Sequence, residues 1–343
     1  MIKILWSNLI KYMEEVDLKK FDCKLQEVKK INLVDSNFIP QKIEEYIREN
    51  IKYKYVCSYN YKNNIINIEY YCSKKKKNTD LFKIIVKRII FMMIISNTYK
   101  NLNIEIYDTP FKKEFHCNNH KKCGNLSHNN VNSGLSYLNN IVIFRREEML
   151  KLLIHELIHA LDIDNKYETI QDKKKILELY NINNTNFLVN ESYVETWAII
   201  INIFLVLHEK KMYKTKEEGF ILFRKYIKKE IIHSFQQCSK LCKFYNIDDF
   251  NKIYRRNKNT IKYTDGVNTF SYHIIKTINL NNINNFIKNF CDNTYILPKR
   301  YNFNRYTLFV IKYNETIINK INYILAHTEK KTKLRGLTMS SVN

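Results

Sequence analysis

The residues best equipped for chemistry lie in one short stretch, Leu152-Leu153-Ile154-His155-Glu156-Leu157-Ile158-His159-Ala160-Leu161, which carries the pattern His-Glu-x-x-His. On a helix, residues four apart share a face, so the imidazoles of His155 and His159 can reach one zinc ion. Glu156 projects beside them, where a carboxylate can take the proton of a zinc-activated water as that water attacks a carbonyl. The flanking residues are large and uncharged, which suits a buried helix, and two His plus a Glu are costly there unless a metal or partners satisfy them. A catalytic zinc takes three protein ligands and keeps one position open. The segment Asn190-Glu191-Ser192-Tyr193-Val194-Glu195-Thr196-Trp197-Ala198 offers the third. Glu191 and Glu195 share one face of a helix that continues through Ile203 and Leu207. Two stacked buried carboxylates repel, so one is expected to bind metal and the other to accept a hydrogen bond from a ligating histidine. The alternative is a pair of solvent-facing charges on an amphipathic helix. The apolar run from Trp197 to Leu207, which leaves little polar face, argues against it.

These residues need a scaffold of helices with a few strands. Only 5 Gly and 3 Pro serve 343 residues, too few for a sandwich or barrel with a special turn every ten residues or so. Residues 51–72 alternate as a hairpin around Asn63-Asn64, and Asp80 caps a buried helix running to about Asn97. A strand from Leu102 to Tyr107 ends at Asp108-Thr109-Pro110. Asn140 to Phe144 reads as a strand, Glu147 opens the metal-motif helix, and the remainder is mostly helical. The expected fold class is α+β, predominantly helical with a small mixed sheet. Residues 1–100 form a helical and hairpin region packed on a core of 101–343, and one continuous domain is the simplest form of this division. The apolar runs Ile84 to Ser96 and Trp197 to Leu207 fall short of a membrane span. No signal peptide is apparent, which predicts an intracellular protein with its eight cysteines reduced. A net charge of +23 would suit nucleic acid, but Ile, Asn, Lys and Tyr, whose codons are rich in A and T, dominate the chain, so base composition alone can supply much of the lysine.

His-Glu-x-x-His followed by Glu-x-x-x-Glu resembles the gluzincin metallopeptidases, the broad class of thermolysin. The His159-Ala160-Leu161-Asp162 continuation and the Glu191-x-x-x-Glu195-x-x-Ala198 helix look closest to the catalytic domains of the anthrax lethal factor type. A closer likeness covers about half the chain. Ile104 to Lys113, Asn130 to Ser136, Ile141 to Glu148, the histidine motif, Ser192 to Ala198 and Phe270 to Lys276 are similar to uncharacterised metallopeptidase-like proteins of nucleocytoplasmic large DNA viruses. The resemblance implies a zincin-like fold, a Zn2+ cofactor held by His155, His159 and Glu191, Glu156 as the base, and Glu195 and Asp162 as outer carboxylates. It also implies a hydrogen-bond donor to the transition state, for which Tyr272 and His273 are the candidates. The substrate is then a protein or peptide, and the setting host cytoplasm or virion. In such enzymes an edge strand before the zinc helix pairs with extended substrate, a place Ile141 to Phe144 would fill unless it is an ordinary core strand.

Two weaker readings accompany these. His116, Cys117, His120 and Cys123, with His128 nearby, offer ligands for a second zinc site, but their spacing matches no standard finger and a polar loop explains them better. Cys238 and Cys242 read as small apolar residues on a helix. Two other functions compete with the peptidase: a basic nucleic-acid-binding or virion-associated protein with a structural zinc, and an inactive pseudopeptidase. A structural site has no need of Glu156, which favours the enzyme.

Overall fold

A computed structural model describes residues 1–18, 23–28, 31, 38–75, 79–114, 126–164, 169–183, 187–257, 260–264, 267–292, 296–298, 302–327 and 337–342. The architecture is α+β. Six strands form one mixed sheet: β1 (Cys23–Glu27), β2 (Tyr53–Tyr61), β3 (Asn64–Cys72), β4 (Leu102–Tyr107), β5 (Gly134–Tyr137) and β6 (Asn140–Ile143), in the order β1-β2-β3-β4-β6-β5. The β2–β3 hairpin closes through Lys62 and Asn63, both left-handed (φ 47° and 64°), the backbone that a two-residue turn between twisted strands requires. β3 then crosses through the helix Thr79–Ser96 to pair in parallel with β4, which pairs in parallel with β6. Because β3 and β4 pair directly, residues before and after position 100 share one sheet.

Alternation along the strands covers both faces. Ile66, Ile68, Ile104, Ile106, Ile141 and Ile143 join the main core, while Tyr71, Tyr107 and Val142 pack with Ile43 and Ile47 of the helix Gln41–Asn50. Against the main-core face lies the metal-motif helix, Met149–Ala160, and the carboxylate helix, Asn190–Glu209, packs on that helix; both carry long buried runs. Arg88, wholly buried, ties three helices together. Its guanidinium donates to Glu209 at 2.9 and 2.7 Å, to Asn202 at 2.8 Å and to the Leu150 carbonyl at 2.9 Å. The expected apolar helices are therefore interior ones, and among the described residues no helix is long and apolar enough to cross a membrane.

Two expectations change. β6 lies between β4 and β5, so Ile141 to Phe144 is not the edge; Gly134–Tyr137 is, because β5 folds back antiparallel on β6. Cys57, expected as a reduced thiol, is disulfide-bonded, while Cys238, Cys242 and Cys291 are free thiols. The possible second zinc cluster (His116, Cys117, His120, Cys123) lies outside the described residues.

Candidate metal centre

His155 and His159 occupy successive turns of the Met149–Ala160 helix, and Glu191 opens the Asn190–Glu209 helix packed against it. Their ligating atoms converge. His155 Nε2 lies 3.3 Å from His159 Nε2, and Glu191 Oε2 lies 3.4 Å from the first and 3.6 Å from the second. Three such atoms within 4.8 Å of one another form a buried group that could hold a metal ion. The other side of each ring is fixed by a carboxylate: His155 Nδ1 meets Glu195 Oε2 at 3.0 Å, and His159 Nδ1 meets Asp164 Oδ2 at 2.8 Å. With Nδ1–H donated outward, each Nε2 turns a lone pair toward the other and toward a carboxylate oxygen. That cluster of acceptors repels itself unless a cation or protons sit among them, so the donor set fits a metal.

The electrostatics agree. Burial disfavours a charged imidazole at His155 and His159, yet Glu191, Glu195 and Asp164 outweigh it and raise both pKa values, that of His159 well above the usual range. Burial likewise works against the carboxylates, but His159 and His155 hold Glu191 well below its ordinary range, and Lys151 and His155 do the same for Glu195. Lys151 sits one turn before His155 and donates to Glu195 at 2.6 and 2.7 Å.

Tyr272 and His273 lie in a π-helical turn, Phe270–Ile275, and their side chains part company. The Tyr272 hydroxyl donates to Glu191 Oε2 at 3.0 Å and lines the pocket beside the metal group. His273 is wholly buried and is not among the residues lining that pocket, and among the described residues neither ring nitrogen has a hydrogen-bond partner. Burial and the nearby Lys276 push its pKa well below the ordinary value. Tyr272 is therefore at the site and His273 is not. Asp162 is also displaced from its expected role. The helix ends at Ala160 and turns left-handed at Asp162 (φ 52°), with Ile163 N bonded back to the Ile158 carbonyl at 3.0 Å. That turn sends the Asp162 carboxylate outward to Lys100 and brings Asp164 under His159 instead.

Gly134, the first residue of the edge strand, is required by close approach. A Cβ there would lie 2.9 Å from the Val142 carbonyl, 3.0 Å from Leu152 and 3.5 Å from Glu156 Oε1. Sequence reasoning did not find Asp164, Lys151, Lys113, Glu148 or the segment 337–342 that completes the pocket. Lys151 alone carried a signal, as a lysine four residues before His155 on the ligand face of an apolar helix.

No family model matches the chain, and no solved structure matches it. Among curated proteins it is similar to an uncharacterised protein of Acanthamoeba polyphaga mimivirus, 25% identical over 157 residues, a stretch covering 43% of this chain and 38% of that protein's length.

Proposed function

We propose that this chain is a zinc-dependent metallopeptidase of viral origin with a zincin-like core, in which His155, His159 and Glu191 hold the metal and Glu156 is the general base. The observation that carries the reading is Glu156. Its side chain is buried and lines the pocket beside the metal group, and among the described residues no hydrogen-bond donor or cation meets its carboxylate. A buried carboxylate without a partner is costly, and a structural metal site has no use for one.

Zinc in this donor set would supply Lewis acidity, making a water acidic near neutral pH and polarising a peptide carbonyl. Glu156 accepts the water's proton and returns it to the departing amine. Glu195 and Asp164 fix the ring orientations of the two histidines. Tyr272, whose pKa is raised well above normal by burial and by Glu191, stays a phenol and can donate to the oxygen that gains charge. The similarity to a mimivirus protein supports the viral setting and says nothing of activity.

Glu156→Gln tests the reading. Zinc content should stay at the wild-type level, since Glu156 is not a proposed ligand, while hydrolysis of a broad peptide library should fall by roughly a hundredfold or more. A peptide cut equally fast by this variant would refute the mechanism. A zinc-loaded wild type that cuts no peptide would favour the structural-zinc or pseudopeptidase reading.

A further inference from the structure

We propose that the pocket beside the metal group takes a small acidic side chain flanking the scissile peptide bond, selected by Lys113 and Ser133. This rests on the peptidase reading and names the class of substrate for it. The pocket has a volume of about 40 Å3, room for roughly three water molecules. A carboxymethyl group, with four heavy atoms, is of that size and an aromatic ring is not. Gly134 and Leu152 wall it on one side of Glu156, and Met339 of the segment 337–342 also lines it.

What remains unpaired in the lining decides its chemistry. Two of the three carboxylates there are already satisfied: Glu148 accepts Lys113 Nζ at 2.9 Å and the Ser340 N–H at 2.6 Å, and Glu195 accepts Lys151 and His155, while the third, Glu156, is reserved in the peptidase reading for the water it deprotonates. The donors are not so engaged. The Ser133 hydroxyl is buried, and among the described residues it has no hydrogen-bond partner. The Lys113 ammonium, also buried, carries three N–H groups, of which Glu148 takes one, and among the described residues no other acceptor meets it. A further ammonium, Lys276, is buried beneath, held by the Met339 carbonyl at 3.1 Å. A cavity with spare donors and buried cations, whose one open carboxylate is committed to the catalytic water, favours an anionic acceptor. A leucine side chain of similar size would leave those donors desolvated and unpaired.

The test uses zinc-loaded protein and two hydroxamates, alike except that one carries a carboxymethyl and the other an isobutyl side chain next to the metal-binding group. Calorimetry should show the carboxymethyl compound binding roughly tenfold to a hundredfold more tightly, the range of a hydrogen bond to a charged group. Ser133→Ala removes a hydroxyl that bonds to nothing among the described residues, so it should leave the fold intact and reduce the preference about fivefold. Lys113→Gln should remove most of it. If Glu148 without its cation prevents that variant from folding, Ser133→Ala decides the matter alone. Wild type that binds the isobutyl compound as tightly, or a preference untouched by Ser133→Ala, overturns the assignment. Zinc content measured on the same sample separates the failures. Loaded protein without the preference loses the pocket assignment alone, and protein that takes up no zinc loses the metal centre and the pocket assignment with it.

Discussion

Glu195 touches both a buried lysine and a histidine of the candidate metal group through one side chain, so removing its charge separates a role in the fold from a role at that group. Its carboxylate accepts Lys151 at 2.6 and 2.7 Å and His155 Nδ1 at 3.0 Å, in a place only 1% exposed. Glu195→Gln keeps the volume but strands the Lys151 ammonium, itself 2% exposed, without an anion directly on it. Breaking a buried pair from one side costs about 3–5 kcal/mol. At an unfolding entropy of about 2.1 cal/mol/K per residue, a cooperative chain of 343 residues loses about 1.4 °C per kcal/mol. The melting temperature should therefore fall by about 4–7 °C when measured in excess chelator. Zinc affinity, measured by competition with a chromophoric chelator, should fall separately by about 10- to 100-fold, because His155 loses the acceptor that orients it. The double variant Lys151→Met with Glu195→Gln removes the stranded cation, so it should regain most of the melting loss and none of the zinc loss. A Glu195→Gln protein that melts within about 1 °C of wild type would show that the pair does not hold these helices. Zinc loss greater in Glu195→Gln than in Glu191→Gln would move the ligand one turn along the helix.

His159→Ala should abolish stoichiometric zinc and lower the melting temperature of the metal-loaded protein toward that of the chelated one, read by elemental analysis and calorimetry; full occupancy would exclude the site. Zinc affinity should rise with pH through and above the ordinary histidine range near 6.5. The raised pKa values of His155 and His159 mean that the metal must displace protons until the pH passes them, and a profile flat from pH 6 to 8 would contradict this. Gly134→Ala places a methyl 2.9 Å from the Val142 carbonyl and 3.5 Å from Glu156 Oε1. It should cost about 1–3 kcal/mol of stability and reduce peptide hydrolysis with zinc content unchanged; wild-type activity would mean that the edge strand does not position the base.

The parts of this molecule legible in the sequence are those set by local periodicity. The β2–β3 hairpin, the β4 strand and the interior helices follow from alternation at period 2 or from apolar runs, and the histidine pair from spacing on one helix. The relation of Glu191 to Glu195 was legible as a pair of roles. Helix packing decides which carboxylate faces the Nε2 atoms, because it sets the rotation of one helix against the other. Asp162 shows where local reasoning stops: a left-handed residue ends the helix and exchanges the outward and inward carboxylates within three positions. Tyr272 and His273 are adjacent, and only the π-helical winding that places them separates a residue at the site from one in the interior. Lys113, Glu148 and Ser340 meet across separations of 35 and 192 residues, which no periodicity announces.

The placing of those distant residues explains why so much charge is buried here. Buried ion pairs seldom stabilise a fold better than apolar packing would, yet Lys113 with Glu148 and Lys151 with Glu195 both lie along the metal-motif helix, and Lys276 lies close by. Each holds something that apolar packing cannot orient. Glu148 caps the helix in a left-handed backbone (φ 58°) and is clamped from one side by Lys113 and from the other by Ser340 N. Ser340 and Ser341 in turn bond Glu230, and the Asn202 amide on the carboxylate helix holds the Val342 carbonyl at 2.9 Å. The segment 337–342 thus joins the start of the helix bearing His155 and His159 to the helix bearing Glu191. Directional bonds of this kind fix the rotation of both helices about their own axes, and it is that rotation, more than their separation, that brings two Nε2 atoms and a carboxylate oxygen to one point.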